Sequence, residues 1–302
     1  MGTFDGVHRG HRAVVRKAVS RARALGLPAT VMSFKTPPRL FFRPEAGPML
    51  LTLPAEKEAL LRAAGADAVL SLSFGKVLAS LRAQAFLDRF VMGRWKAREV
   101  VVGYNFAFGK GREGTPAFLM AAGERAGVKV HVVPPVAWRG APVSSGRIRQ
   151  ALKGGDLAAA NGALGAPYAL TARVKRGDGR GRTLGFPTAN LAFPAEKIVP
   201  PGVYAVRVVL PGGRIKGGMA NVGVRPTLSV PDPRPTVEVH LFGFSGSLVG
   251  KTLRVSFLRK LRAERRFPSL DRLVMQLHKD ARRAKAILSR GRLQAGLSGS
   301  RS

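Results

Sequence analysis

Residues 2–11 read Gly2-Thr3-Phe4-Asp5-Gly6-Val7-His8-Arg9-Gly10-His11. The Asp-Gly pair predicts a tight turn, and helical spacing begins after it. His8 and His11 then fall three residues apart, on one face of a first helical turn. Free backbone N–H groups and the helix dipole favour anions there. Gly10 lets a phosphate or a ring approach the backbone. Outward from this stretch, the first half of the chain alternates. Apolar, β-branched runs occur at 29–34, 68–74, 100–106 and 128–133, with helix-like stretches at 9–25, 54–64, 81–95 and 116–126. Continuous apolar strands alternating with helices predict an α/β, doubly wound parallel sheet covered on both faces. Ligands of such sheets sit at the carboxyl ends of the strands. Asn105 lies at one such end. Ser144 and Ser145 open a short predicted helix over 144–152, and Arg147 and Arg149 follow, so hydroxyls, backbone N–H groups and guanidinium groups form an anion cradle.

Composition narrows the class. At 302 residues the chain is long enough for two domains. Hydrophobic residues make up 45%, which argues against global disorder. Cys is absent. That excludes disulfides, thiolate metal sites and a cysteine nucleophile, and it fits a reducing compartment. No apolar run reaches membrane-spanning length or resembles a signal peptide, so the reading is a soluble, cytoplasmic protein without a membrane partner. Lys and Arg number 51 against 17 Asp and Glu, a net charge of +34. Such a field attracts polyanions in general. With two Trp and three Tyr, no aromatic-basic platform for specific nucleic-acid binding is evident. Non-specific polyanion binding is the expectation.

The rhythm changes around 154–168. A connecting helix is predicted over 156–164, and short β candidates follow at 169–174, 202–210, 217–222, 236–242 and 252–258. Gly and Pro separate them, which predicts a small antiparallel barrel. Residues 269–288 return to helical spacing, with Leu270, Leu273, Leu277, Ala281 and Ala284 on one face. The Gly-, Ser- and Arg-rich end, 291–302, reads as a disordered tail. Within the barrel, Gly179-Arg180-Gly181-Arg182-Thr183-Leu184-Gly185-Phe186-Pro187-Thr188-Ala189-Asn190 carries the strongest signal. Its glycines give the backbone room near phosphates. Thr188 and Asn190 offer hard oxygens, which suit Mg²⁺ riding on a nucleotide. Only seven acidic residues follow position 165. One of them, Glu238, alternates with Val237 and Val239, so it lies on the face opposite those valines. A phosphoryl acceptor hydroxyl needs such a carboxylate within reach. From alternation alone, a solvent-facing Glu on a half-buried strand is the commoner reading.

Three stretches of the first half, G-T-F-D-G-V-H-R-G-H, V-V-G-Y-N-F-A-F-G and V-S-S-G-R-I-R-Q-A-L, resemble the nucleotidylyltransferase superfamily. More narrowly, they resemble the N-terminal module of bacterial bifunctional riboflavin kinase/FAD synthetases. In the second half, G-R-T-L-G-F-P-T-A-N, A-N-V-G-V-R-P-T, V-E-V-H-L-F-G-F and F-L-R-K-L-R-A-E-R-R-F-P-S-L resemble the riboflavin kinase module, in the family's order. The resemblance implies ATP and riboflavin as substrates, and FMN as product and second substrate on the way to FAD. It implies that His8 and His11 stabilise the α-phosphate. Gly2, Thr3, Phe4, Asp5, Gly10, Asn105, Ser144, Ser145, Arg147 and Arg149 would handle the nucleotide. In the kinase module, Gly179, Gly181, Thr183, Gly185 and Pro187 would border ATP, Thr188 and Asn190 would face the metal, and Glu238 would be the base. Asn221 and Arg225 would contact flavin. The implied fold is a nucleotidylyltransferase domain over 1–165 and a six-stranded barrel with a C-terminal helix over 166–290. Two segments depart from the pattern. The family's T-F-x-P-H-P appears as Ser33-Phe34-Lys35-Thr36-Pro37-Pro38, and its S-S-T as Ser144-Ser145-Gly146. The family also carries a strand ahead of the first turn, where only Met1 precedes Gly2. A sheet lacking its first strand is the expectation, and a kinase with an inactive synthetase module is the alternative reading. A basic, non-catalytic nucleic-acid-binding protein is a further alternative.

Overall fold

The computed structural model describes residues 1–43, 49–224 and 235–298. It divides into two compact units, Met1–Ser145 and Gly146–Ser302. The first unit opens with α1 (Arg9–Ala24), β1 (Thr30–Phe34), α2 (Pro38–Phe42), α3 (Pro54–Ala63) and β2 (Ala68–Leu72). There follow α4 (Lys76–Ser80), α5 (Ala83–Phe86), a π-helix over Leu87–Arg94, β3 (Glu99–Gly103), α6 (Pro116–Arg125) and β4 (Lys129–Val133). A small hairpin, β5 (Ala137–Trp138) and β6 (Ala141–Pro142), precedes α7 (Ser145–Lys153).

The parallel strands form two pairs, β1 with β2 and β3 with β4. One face of the sheet packs against α1 through Val14, Val15 and Val19 on Val31 and Val101. The other buries Met32, Val100 and Val102 against Phe86, Leu87, Val91 and Leu119. This is the doubly wound arrangement that the alternating apolar runs predict. The two pairs do not bond to each other directly among the described residues. Instead the Met1 amine donates to the Val101 carbonyl (2.9 Å), and Gly2 N donates to the Met32 carbonyl (3.1 Å). The backbone of Met1 and Gly2 thus bridges the two inner edges. Beside it lies a cavity of about 480 Å³ walled by Val14, Ala18, Val31, Met32, Val100 and Val101. Burial of the Met1 amine lowers its pKa from 8.0 to about 5.

The second unit carries α8 (Leu157–Leu164), β7 (Tyr168–Lys175), α9 (Arg180–Thr183), β8 (Ala189–Ala192) and β9 (Gly202–Val209). It continues with β10 (Ile215–Val224), β11 (Pro235–Leu241), β12 (Thr252–Arg262) and α10 (Leu270–Ser298). Its six strands close into an antiparallel barrel in the order β10-β11-β8-β7-β12-β9. Asn161 of α8 donates to the Phe257 carbonyl (3.0 Å) and accepts from Tyr168 N (2.7 Å), tying α8 to β12 and β7.

Helix α10 lays Ala281, Ala284 and Leu277 on Val203, Ala205, Met219 and Leu261, on the outer face of β9, β10 and β12. Asp280, fully buried, accepts from Arg262 Nε at 2.8 Å and fastens the helix to the end of β12. The apolar face begins later than predicted, since Leu270 is 67% exposed at the first helical position. The helix runs to Ser298.

Candidate active sites

The turn ahead of α1 is strained and tightly held. Phe4 and Val7, both buried, have φ of 52° and 39°, and Gly6 has φ of 88°. Left-handed backbone at a β-branched residue costs on the order of 1–3 kcal/mol, so the surroundings must over-determine it. Asp5 supplies much of that. Its buried carboxylate accepts from Leu51 N (3.1 Å), Thr52 N (3.0 Å) and the Thr52 hydroxyl (3.0 Å). The Thr52 hydroxyl accepts in turn from Gly6 N at 3.1 Å. The Ser145 hydroxyl donates to the Asp5 carbonyl at 2.8 Å. Ser33 anchors Thr3 by donating to its carbonyl at 2.9 Å.

His8 is the N-cap of α1, and its Nδ1 accepts from His11 N at 3.3 Å. The two imidazoles stack with centroids 3.6 Å apart, and Phe4 meets His11 edge-on. A Cβ on Gly10 would press against the His8 ring at 3.2 Å, so glycine keeps that ring in place. Asn105 lies in the turn after β3, its Oδ1 folded back toward Gly103. Ser144 precedes α7, and Arg147 and Arg149 lie on it. Sequence reasoning missed three neighbours of this site. Thr52 is one. Lys57 is another: it is buried, donates to the Phe34 carbonyl at the end of β1, and burial lowers its pKa. The third is an aromatic cluster in which Phe34, Phe41 and Phe42 each meet Phe74 edge-on at 5.4–5.7 Å. Phe42 is 63% exposed, an unusual surface position for a large apolar ring that only the structure reveals.

In the barrel, the register aligns residues that lie far apart in sequence. Glu238 of β11 is the direct partner of Asn221 on β10 and of Asn190 on β8. Asn190 is in turn the partner of Lys175 on β7. Direct partners share a face, so all four residues project from the outer surface of the barrel. Thr188, two positions before Asn190, shares that side. The glycine-rich stretch curls over it. Phe186 N donates to the Gly181 carbonyl (2.8 Å), and His240 Nδ1 bonds the Pro187 carbonyl (2.9 Å). Gly179 and Gly185 both have φ of 76°, a conformation that favours glycine. A Cβ on Gly177 would overlap the Asn190 amide. Under the loop lies a cavity of about 720 Å³ lined by Lys175, Gly179, Arg182, Thr188, Asn190 and, from the β11–β12 connection, Ser245. Thr183 closes the short helix α9 within the same loop. Arg225 lies outside the described residues. Lys175 and Gly177 were not singled out from sequence, because only the barrel register brings them to Asn190.

Among the described residues, no group of three or more His, Cys, Asp and Glu forms a metal cage. No helix is long and apolar enough to cross a membrane. Residues 1–147 match the family described as FAD synthetase, and residues 164–288 match the family described as Riboflavin kinase. A bifunctional riboflavin kinase/FMN adenylyltransferase of Pseudomonas fluorescens is 40% identical over 95% of this chain and 91% of its own length. Its counterpart in Escherichia coli K12 is 39% identical over 93% of this chain and 89% of its own length. The fold is similar to a crystal structure of a Streptococcus pneumoniae protein described as a macrolide-efflux protein. That likeness has a TM-score of 0.83 and 34% identity, and it covers 93% of this chain and 90% of that one. Two units that match the two families in order, and relatives matched along nearly their whole length, lead to one conclusion: the chain belongs to the bifunctional riboflavin kinase/FMN adenylyltransferase family.

Proposed function

We propose that the barrel unit transfers the γ-phosphoryl group of ATP to the terminal ribityl hydroxyl of riboflavin, with Glu238 as general base. The observation that carries this reading is the outer-face row Asn221–Glu238–Asn190 beside the cavity under the glycine-rich loop. Glu238 takes the hydroxyl proton as the oxygen attacks the γ-phosphorus. The bond from that phosphorus to the β,γ-bridging oxygen breaks, and ADP leaves. Little covalent chemistry is asked of the protein, so positioning and charge placement dominate. Gly179, Gly181, Gly185 and Pro187 shape the loop over the nucleotide, and Thr183 lies within it. The Thr188 hydroxyl and the Asn190 amide oxygen are hard donors on one face, and they fit Mg²⁺ whose other oxygens come from phosphates. When bound, that ion neutralises charge on the β- and γ-phosphates.

The first unit, on the same reading, joins FMN to the adenylyl group of ATP. A phosphate oxygen of FMN attacks the α-phosphorus, the bond to the α,β-bridging oxygen breaks, and pyrophosphate leaves. His8 and His11 donate toward the α-phosphate. Gly2, Thr3, Phe4 and Gly10 shape the turn, while Asp5 and Thr52 act by positioning it. Asn105, Ser144, Ser145, Arg147 and Arg149 serve the nucleotide. The exposed rings of Phe41 and Phe42, packed on the half-buried Phe74, offer a surface for the flavin. The cysteine-free composition supports a cytoplasmic location. The departures at Ser33-Phe34-Lys35-Thr36-Pro37-Pro38 and Ser144-Ser145-Gly146 favour a second reading, in which adenylylation is slow and FMN accumulates. Purified protein is incubated with riboflavin, ATP and Mg²⁺, and the flavins are resolved by chromatography. FMN followed by FAD supports the bifunctional reading. FMN alone supports the second, and neither product rejects both.

A further inference from the structure

Helix α10 carries a face that the kinase chemistry does not use. Its apolar side is spent on the barrel. Leu277, Ala281 and Ala284 pack on β9, β10 and β12, and Leu288 sits against Gly217, where a Cβ would come within 2.7 Å of it. The opposite side points to solvent and is cationic. Arg272, Lys279, Arg283 and Arg290 are all exposed, and they are spaced 7, 4 and 7 residues apart. At 3.6 residues per turn, that spacing puts them within about 40° of one another around the helix. At 1.5 Å of rise per residue, the row is about 27 Å long. Arg282 is exposed on its flank.

Little in the helix answers this charge. Its carboxylates are Asp271 and Asp280, and Asp280 is fully buried and accepts from Arg262. Among the described residues, no ion pair engages any of the four cations. Like charges at i,i+4, as at Lys279 and Arg283, destabilise a helix. A bound row of anions would remove that cost. Two features decide which anions fit. The row carries no aromatic side chain, so nothing in it stacks on a base. Beside it, Met275 is the one large exposed apolar side chain among the described residues, whereas a helix lying on a lipid surface buries an apolar face there. A nucleic-acid backbone supplies an unbroken line of negative charge that several cations meet at once. A flexible single strand can follow a straight row.

We propose that the outer face of α10 docks the phosphate backbone of single-stranded nucleic acid, without base preference. The test uses the full chain and a fluorescein-labelled oligouridine of about 20 nucleotides. Its binding is followed by anisotropy as KCl rises from about 50 to 300 mM. ATP is present throughout, so that its own sites are occupied. Lys279→Gln, Arg283→Gln and Arg290→Gln are combined, because Gln is a comparable helix former. The dependence of log Kd on log salt becomes shallower by about 2, at about 0.7 per lost contact, and binding at low salt weakens about tenfold or more. Kinase kcat stays at the wild-type value and shows that the variant is folded. Each single substitution lowers the slope by about 0.7, so the result does not depend on the triple variant. A control combining Arg16→Gln, Lys17→Gln and Arg23→Gln, at exposed positions of α1, removes the same charge and keeps wild-type binding. An equal effect of the two combinations overturns the proposal, because total charge would then account for the binding. So does an absence of oligouridine binding by the wild-type chain. Sedimentation with phosphatidylserine vesicles that is lost in the α10 variant, while RNA binding persists, overturns it as well.

Discussion

Glu238 on β11 is the direct cross-strand partner of Asn190 on β8. Direct partners hold their Cβ atoms about 4.5–5.5 Å apart, so the pairing places the proposed base beside the proposed metal-side amide without any loop having to close. The two residues are 48 positions apart in the chain, and β8 is the strand that joins them. Chemistry held by a barrel register is rigid, which suits an in-line transfer that depends on placement.

The glycine-rich loop depends on the same pairing. A Cβ on Gly177 would overlap the Asn190 amide. Gly177→Ala is expected to displace either the loop or Asn190 and to lower kinase kcat about tenfold or more. The melting temperature should change little, because the site lies at the barrel surface. Kinase rates and a thermal melt on one sample check this.

His8 combines two roles that substitutions can separate. As N-cap it accepts from His11 N, and removing a cap costs about 1 kcal/mol. His8→Ala should lower both stability and FAD formation from supplied FMN. His8→Asn should restore the cap and the stability but not the adenylylation. Recovery of FAD formation in His8→Asn would show that His8 serves only the helix.

Thr52 holds the strained turn through Gly6 and Asp5. Thr52→Val keeps the shape and leaves a buried N–H and a carboxylate oxygen without that partner, at a cost of about 1–3 kcal/mol. Adenylylation should fall while kinase activity stays. Thr52→Ser should recover most of it. Equal loss in the valine and serine variants would contradict the assignment.

Acid stability has a named contributor. Glu99 accepts two hydrogen bonds from Arg21, both 2.8 Å, and one contact from His131 at 2.7 Å. The Arg21 hydrogen bond, aided by His131, lowers the Glu99 pKa from 4.5 to about 2. Because the folded value lies below the unfolded one, the contribution is full above about pH 4.5 and is lost as pH falls toward 2. Glu99→Gln should therefore melt earlier than wild type at pH 7, and the gap should close on acidification. A gap constant from pH 7 to pH 2.5 would contradict this.

Much of this was legible in the residues. The four parallel strands follow from apolar runs, and the turn and α1 follow from the decapeptide. Strand β8 was not legible. Ala189–Ala192 is short, poor in β-branched residues and flanked by Pro187 and Pro194, so only the barrel's register reveals it. The predicted helix over 81–95 breaks into α5 and a π-helix. There Gly93 packs against the Asp88 carbonyl, where a Cβ would come within 2.7 Å. Such widening is not encoded in hydrophobic spacing. Asp5 looked like a ligand-facing acid, yet its carboxylate supports the turn, a distinction that only the partners Leu51 and Thr52 make visible. The charge of +34 pointed to polyanions in general, and it took the two motif-bearing units to narrow that to ATP.

The central claim is that Glu238 is the base of a kinase site separate from the adenylylation site. The direct measurement follows flavin products made by Glu238→Gln, first from riboflavin and then from supplied FMN. The account predicts that FMN formation from riboflavin falls by about 10²–10⁴, while FAD formation from supplied FMN matches wild type. FMN formation near the wild-type rate, or an equal fall in both reactions, would contradict it.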